Sequence, residues 1–190
     1  MRSKKTLWVY ISNLFVFILL FGLIVYVPIL IVRKLELSTM YSGLTLSIGS
    51  AVVAITATQA GRFFYRFKNH QLVIVGFLLC GTALLLISFV TSFIFLIPCI
   101  IIWGMGFGTV FPALNTIVTE LVSSQLRAGV VSGFTTMTYI GQTLSPPLFG
   151  FVLGHSNLQM VFITGSLLSL LPLAFTLITR YVFRQTGSFE

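Results

Sequence analysis

The chain has three carboxylates, Glu36, Glu120 and Glu190, two histidines, His70 and His155, and two thiols, Cys80 and Cys99. Nucleophilic or general acid–base catalysis needs a nucleophile, a base and an orienting group within hydrogen-bond reach. Here every acid and histidine falls in a break between apolar runs or at the C-terminus. Both thiols fall inside apolar runs, where cysteine is a small hydrophobic filler. The spacing therefore predicts no catalytic set, no metal site, no disulfide framework and no cofactor, and the chain is not expected to be an enzyme. Glu120 suits either a pairing with Arg127 across a short loop or plain solvation.

What remains is neutral chemistry inside the apolar runs. Asn13, Asn115 and Gln142 each donate and accept hydrogen bonds, which fits either a substrate path or a bond between helices. Trp103, Phe107, Phe111 and Asn115 recur every four residues and form a drifting helical stripe, the wall of a cavity or a packed face. Tyr139, Gln142 and Ser145 lie together on another helix. Pro146 and Pro147 follow them in the middle of that span, where freed carbonyls require protein or water nearby. Gly104-Met105-Gly106-Phe107-Gly108 has no strand before it, so its G-x-x-x-G spacing means close helix packing and not a dinucleotide loop.

The elements that carry these residues are membrane spans. Of the 190 residues 57% are hydrophobic and 7% charged, and the mean hydropathy is +1.07. A soluble domain carries roughly 25% charged residues, so a water-soluble globule is excluded. Continuous apolar runs such as 72–90 exclude a membrane barrel, whose strands alternate. At about 20 residues per crossing, the breaks define six helices at 7–32, 38–60, 72–90, 93–118, 129–153 and 158–179. The division at Thr91-Ser92 rests on length, because 72–118 is too long for one crossing. The first run is also too long for a signal-peptide core and lacks a small-residue cleavage site, so it is expected to stay as a span.

The net charge of +8 is a topology signal. Arg2, Lys4, Lys5, Arg62, Arg66, Lys68, Arg127, Arg180 and Arg184 fall on one side of six spans, and only Arg33 and Lys34 on the other. The positive-inside rule then places both termini in the cytoplasm of a multi-pass cell-membrane protein. Topology and anionic lipid account for the basic residues, so no nucleic-acid partner is expected.

The second and fifth helices are dense in small and hydroxyl residues, across 42–58 and 132–145, and are expected to face protein. The third and sixth are leucine-rich and read as lipid-facing. The ranking is the same in helices one to three and four to six, and an odd number of spans reverses the second triplet. The fold class predicted is all-α, a polytopic membrane protein of six transmembrane helices built as two inverted three-helix repeats.

Residues 104–150 resemble a known family. Pro112 and Asn115, then Arg127, Gly129 and Gly133, and finally Gly141-Gln142-x-x-x-Pro146-x-x-x-Gly150 look like the tenth and eleventh helices of a major facilitator superfamily transporter. The drug:proton antiporters with twelve helices are the most similar branch. The loop GRFFYRFKNHQL is similar to the weak second copy of that family's G-x-x-x-D-R-x-G-R-[RK] motif. Gly61 and Arg66 match it, while Tyr65 stands for the acid and Lys68 for the second glycine, which puts a carboxylate switch in this loop in doubt.

The resemblance implies that residues 1–190 form a single six-helix half, the C-terminal one, of a secondary transporter for amphipathic small molecules. Its partner would be an N-terminal half or a second copy of the chain. The first and fourth helices would line a cavity, the second and fifth would meet the other half, and the third and sixth would face lipid. Asn13, Trp103, Phe107, Phe111, Asn115, Tyr139 and Gln142 are the substrate-path candidates. Gly61, Arg66, Arg127, Gly129, Gly133, Gly141, Pro146 and Gly150 are the interface and conformational candidates, with Arg127 and the start of the fifth helix expected to dock an acid of the other half. No span contains an ionisable residue in its interior, the usual mark of a proton relay. That leaves open a second reading, a non-transporting membrane module that acts through helix packing.

Overall fold

A computed structural model describes residues 2–66, 69–121 and 126–185, with side chains for 5–59, 69–121 and 126–177. Among them are six helices and no strand: α1 (Arg2–Arg33), α2 (Thr39–Arg66), α3 (Asn69–Ser88), α4 (Phe93–Glu120), α5 (Arg127–His155) and α6 (Leu158–Gln185). The apolar runs set the spans, but the helices run past them into the polar segments. The motif-like loop is largely helix, because α2 continues to Arg66 and α3 begins at Asn69. No proline or glycine-rich turn interrupts that stretch, so intrahelical hydrogen bonds simply continue beyond the apolar region.

By length and hydropathy alone five of the six helices can cross a membrane, α5 being the exception. Its glycines and hydroxyls lower the hydropathy, and it gains cover from α1 instead. The expected hairpin between α3 and α4 is present, with turn hydrogen bonds from Phe89 to Leu86 and from Val90 to Ile87. Lys34 Nζ donates to the Ser88 carbonyl at 3.4 Å and closes that end of α3. α1 ends where Glu36 takes a left-handed φ of 55° and Leu37 N–H returns to the Ile31 carbonyl. Glu36 thus holds the left-handed conformation that glycine usually supplies at a helix end.

The packing has the symmetry of the two triplets. α5 lies along α1, and α2 lies along α4, so the middle helix of each triplet packs on the first helix of the other. α3 and α6, the two third helices, pack on each other behind them. α4 separates its glycines by face: Gly104 and Gly108 meet α2 at Val52 and Thr56, while Gly106 meets α3 at Cys80 and Gly76. Positions two apart point to nearly opposite sides of a helix, which lets one short motif serve two partners. α3 and α6 are not wholly lipid-facing, since each buries one side in this contact. Leu85 and Leu86 of α3, Phe89 in the turn after it, and Leu167, Leu170 and Leu171 of α6 remain exposed on the outside.

Candidate functional site

The stripe on α4 is an aromatic column. Trp103 stacks on Phe107 at 5.5 Å and 12°, and Phe107 on Phe111 at 5.6 Å and 15°. Spacing of four residues places each ring about one turn above the last. Phe17 of α1 meets Phe107 and Phe111 edge-on at 6.0 and 5.4 Å, and Phe134 of α5 stacks on Phe111 at 6.5 Å. The Phe111 end is therefore packed against α1 and α5. The Trp103 end lines a cleft of about 240 Å³ between α1, α2 and α4, shared with Leu20, Leu23, Ser50 and Val53. The two readings of the stripe are divided along its length.

α1 and α5 are joined by hydrogen bonds along almost their whole contact. Tyr10 Oη donates to the Val130 carbonyl at 2.8 Å, Ser145 Oγ to Ile18 at 2.6 Å and Tyr26 Oη to Pro146 at 2.9 Å. Asn13 is fully buried in this seam and spends its Nδ2 on the Phe134 carbonyl at 2.9 Å and on Thr138 Oγ1 at 2.8 Å. Of the two roles open to Asn13, the geometry gives it a bond between helices, with Oδ1 left unpaired. Gln142 differs. It is half-buried one residue from the seam and has no hydrogen-bond partner among the described residues.

A scan against family models matches residues 9–187 to the Major Facilitator Superfamily. The chain belongs to the Major Facilitator Superfamily. It is similar to the Bacillibactin exporter of Bacillus subtilis (strain 168), 26% identical over 173 residues that cover 90% of this chain and 43% of that protein. It is also similar to Multidrug resistance protein 2 of the same organism, 24% identical over 171 residues, 90% of this chain and 42% of that one. The solved peptide transporter POT in complex with sulfate superposes with a TM-score of 0.85 at 18% identity, over 93% of this chain and 38% of that chain. The chain thus spans about two-fifths of the length of these relatives. It is a membrane protein of a transporter family and not an enzyme.

Within this major facilitator fold the remaining sequence candidates scatter. Asn115 is half-buried and donates to the Phe111 carbonyl of its own helix at 3.1 Å. Tyr139 is exposed. Gly133 and Gly141 face α1, where Gly133 meets Tyr10 and a Cβ on Gly141 would lie 2.6 Å from the Leu14 carbonyl. Gly150 lies near Tyr26, and the Pro146 carbonyl is the acceptor for the same tyrosine. Arg127 and Gly129 are exposed in the first turn of α5, which has no side-chain cap and no acid. Gly61 and Arg66 belong to the last turns of α2, but their side chains lie outside the described residues. Glu120 accepts from Asn69 Nδ2 at 3.4 Å and does not pair with Arg127.

The sequence had grouped residues 42–58 and 132–145 as two faces meeting another half. The structure splits each group. Ser42, Thr45 and Gly49 of α2, and Gly141 and Ser145 of α5, are buried within this chain. Gly43, Ser47, Ser50 and Ala54 of α2 are exposed, as are Ser132, Thr136, Tyr139 and Thr143 of α5. Both exposed rows follow the same four-three-four spacing. Composition was enough to find the two segments, but not to tell the exposed rows from their buried neighbours.

Proposed function

We propose that this chain is the C-terminal six-helix half of a secondary transporter that exports amphipathic small molecules by alternating access, both termini cytoplasmic in the cell membrane. It works against a second six-helix unit. The observation that carries this reading is the pair of exposed rows on α2 and α5. Glycine, serine and threonine gain little from lipid, while they allow close approach of another helix. On α5 the hydroxyls are already satisfied within the helix: Ser132 Oγ donates to Ala128, Thr136 Oγ1 to Ser132 and Thr143 Oγ1 to Tyr139. A face of this kind needs no fixed partner atoms, which suits two halves that rock past each other.

In this reading Trp103, Phe107 and Gln142 lie along the substrate path. Asn13, Gly133, Gly141, Pro146 and Gly150 keep α1 and α5 moving as one body. Single cysteines at Gly43, Ser47, Thr136 and Tyr139 are expected to cross-link to a co-expressed N-terminal half, and cysteines at Leu85 and Leu167 are not. The native Cys80 and Cys99 are buried and give little background. Cross-links at the leucines with none at the four face positions would overturn the assignment.

In the same reading Arg127 docks an acid of the other half. The open amides at the start of α5 and the helix dipole favour an anion there, and the guanidinium adds two parallel donors. Transport by the assembled protein is expected to fall about tenfold or more in Arg127→Lys at unchanged expression, since a conformational coupling is worth about 1–3 kcal/mol. Near-normal transport in Arg127→Lys would reduce Arg127 to a topology charge.

A further inference from the structure

Arg33 and Lys34 have no explanation in the topology. The positive-inside rule accounts for basic residues on the side of the termini and disfavours cations at the opposite end of the spans, where these two fall. Lys34 Nζ makes one long bond, to the Ser88 carbonyl at 3.4 Å, although an ammonium has three donors. Arg33 is exposed and makes no hydrogen bond or ion pair among the described residues. Glu36, also exposed, pairs with neither cation.

Both cations line a cavity of about 350 Å³ where the end of α1 meets the turn between α5 and α6. Its other polar walls are the carboxamides of Asn157 and Gln159. Asn157 Oδ1 accepts the Met160 N–H at 3.0 Å and caps α6. Its Nδ2 and the half-buried Gln159 have no partner among the described residues. No carboxylate lines the cavity, and its apolar part includes Ile29 and Leu153. Ile29 precedes Arg33 by about one turn, ~6 Å along α1, so the lining passes from hydrocarbon to cation over that distance. None of these residues lines the cleft beside Trp103.

We propose that this cavity binds the headgroup of an anionic phospholipid. Arg33 and Lys34 meet the phosphate, the carboxamides donate to glycerol or ester oxygens, and the first methylenes of the acyl chains lie on Ile29 and Leu153. Arginine offers phosphate a planar fork and lysine a point charge. A net negative headgroup is preferred to a zwitterionic one, because no acid in the lining meets a second, cationic group. Free phosphate uses the polar rim alone and leaves the aliphatic wall uncovered. That the lipid comes from the outer leaflet rests on the orientation proposed above, whereas the cavity does not.

The full chain carrying Ser156→Cys is labelled with a trifluoromethyl thiol probe and placed in phosphatidylcholine nanodiscs containing increasing fractions of phosphatidylglycerol. Ser156 is exposed beside Asn157, and the native Cys80 and Cys99 are buried. The fluorine signal is expected to move saturably with phosphatidylglycerol and to stay put when phosphatidylethanolamine replaces it. Half-saturation should rise about fivefold in Arg33→Gln, and further in the double variant with Lys34→Gln, since one cation is worth about 1 kcal/mol at an anionic lipid surface. Lys5→Gln, at the other end of α1, should leave it unchanged. A signal indifferent to phosphatidylglycerol, an equal response to phosphatidylethanolamine, or an equal loss in Lys5→Gln would overturn the proposal. The same shift from inorganic phosphate in pure phosphatidylcholine discs would make this a soluble-anion site and overturn the lipid. Nanodiscs expose both faces, so these results do not depend on orientation. Labelling Ser156→Cys in intact cells with an impermeant maleimide tests the orientation by itself: no labelling removes the outer leaflet and leaves the cavity's ligand standing.

Discussion

Gly106→Val is expected to abolish the folded chain. A Cβ at Gly106 would lie 2.8 Å from the Cys80 amide nitrogen and 2.9 Å from the Gly76 carbonyl oxygen. Both are backbone atoms of α3, so no side-chain rotation relieves the clash and the two helices must separate. Their contact is the most extensive between helices among the described residues. Overpacking of a tight core costs about 1–3 kcal/mol and more where the backbone must move, a large share of an ordinary folding stability. Gly43→Ala and Gly129→Ala are the matched controls. A Cβ at either meets nothing within 4 Å, and alanine in a helix is favoured over glycine by about 1 kcal/mol. Both should be neutral or stabilising. The measurement is the fraction of monodisperse protein after graded heating in detergent, and a Gly106→Val variant that melts with the parent would refute the packing.

Purified chain reconstituted alone into liposomes is expected to give no substrate-driven proton flux, and flux is expected once an N-terminal half is added. Coupling needs a group inside the membrane that binds and releases a proton. Glu36 lies in the turn after α1, Glu120 closes α4 and Glu190 is the last residue of the sequence. Trp103 and Gln142 on the proposed path neither take up nor release a proton near neutral pH. The titratable carrier in this scheme belongs to the other half. Internal pH, read with a trapped dye after substrate addition, decides the matter. Robust flux from the chain alone would contradict the placement of its carboxylates outside the spans.

Helix number and location follow from the sequence by itself, because spans are apolar for about 20 residues and the breaks carry charge. That Trp103, Phe107 and Phe111 share one stripe follows too, since a spacing of four fixes neighbours along one helix. So does the reversal of the second triplet, from counting spans. Which face meets which helix could not be read in the same way. Gly104 and Gly106 look alike in the sequence, yet one serves α2 and the other α3. Asn13 and Gln142 carry the same amide chemistry, and only the approach of α5 along α1 makes Asn13 a link between helices and leaves Gln142 unpaired. Gly133 and Gly43 were both expected at the outer interface, but Gly133 lies under Tyr10 while Gly43 faces open space. The physical reason is common to all three. Periodicity is a property of one helix, and it says which residues share a face, whereas the partner of that face is set by contacts between helices far apart in the chain.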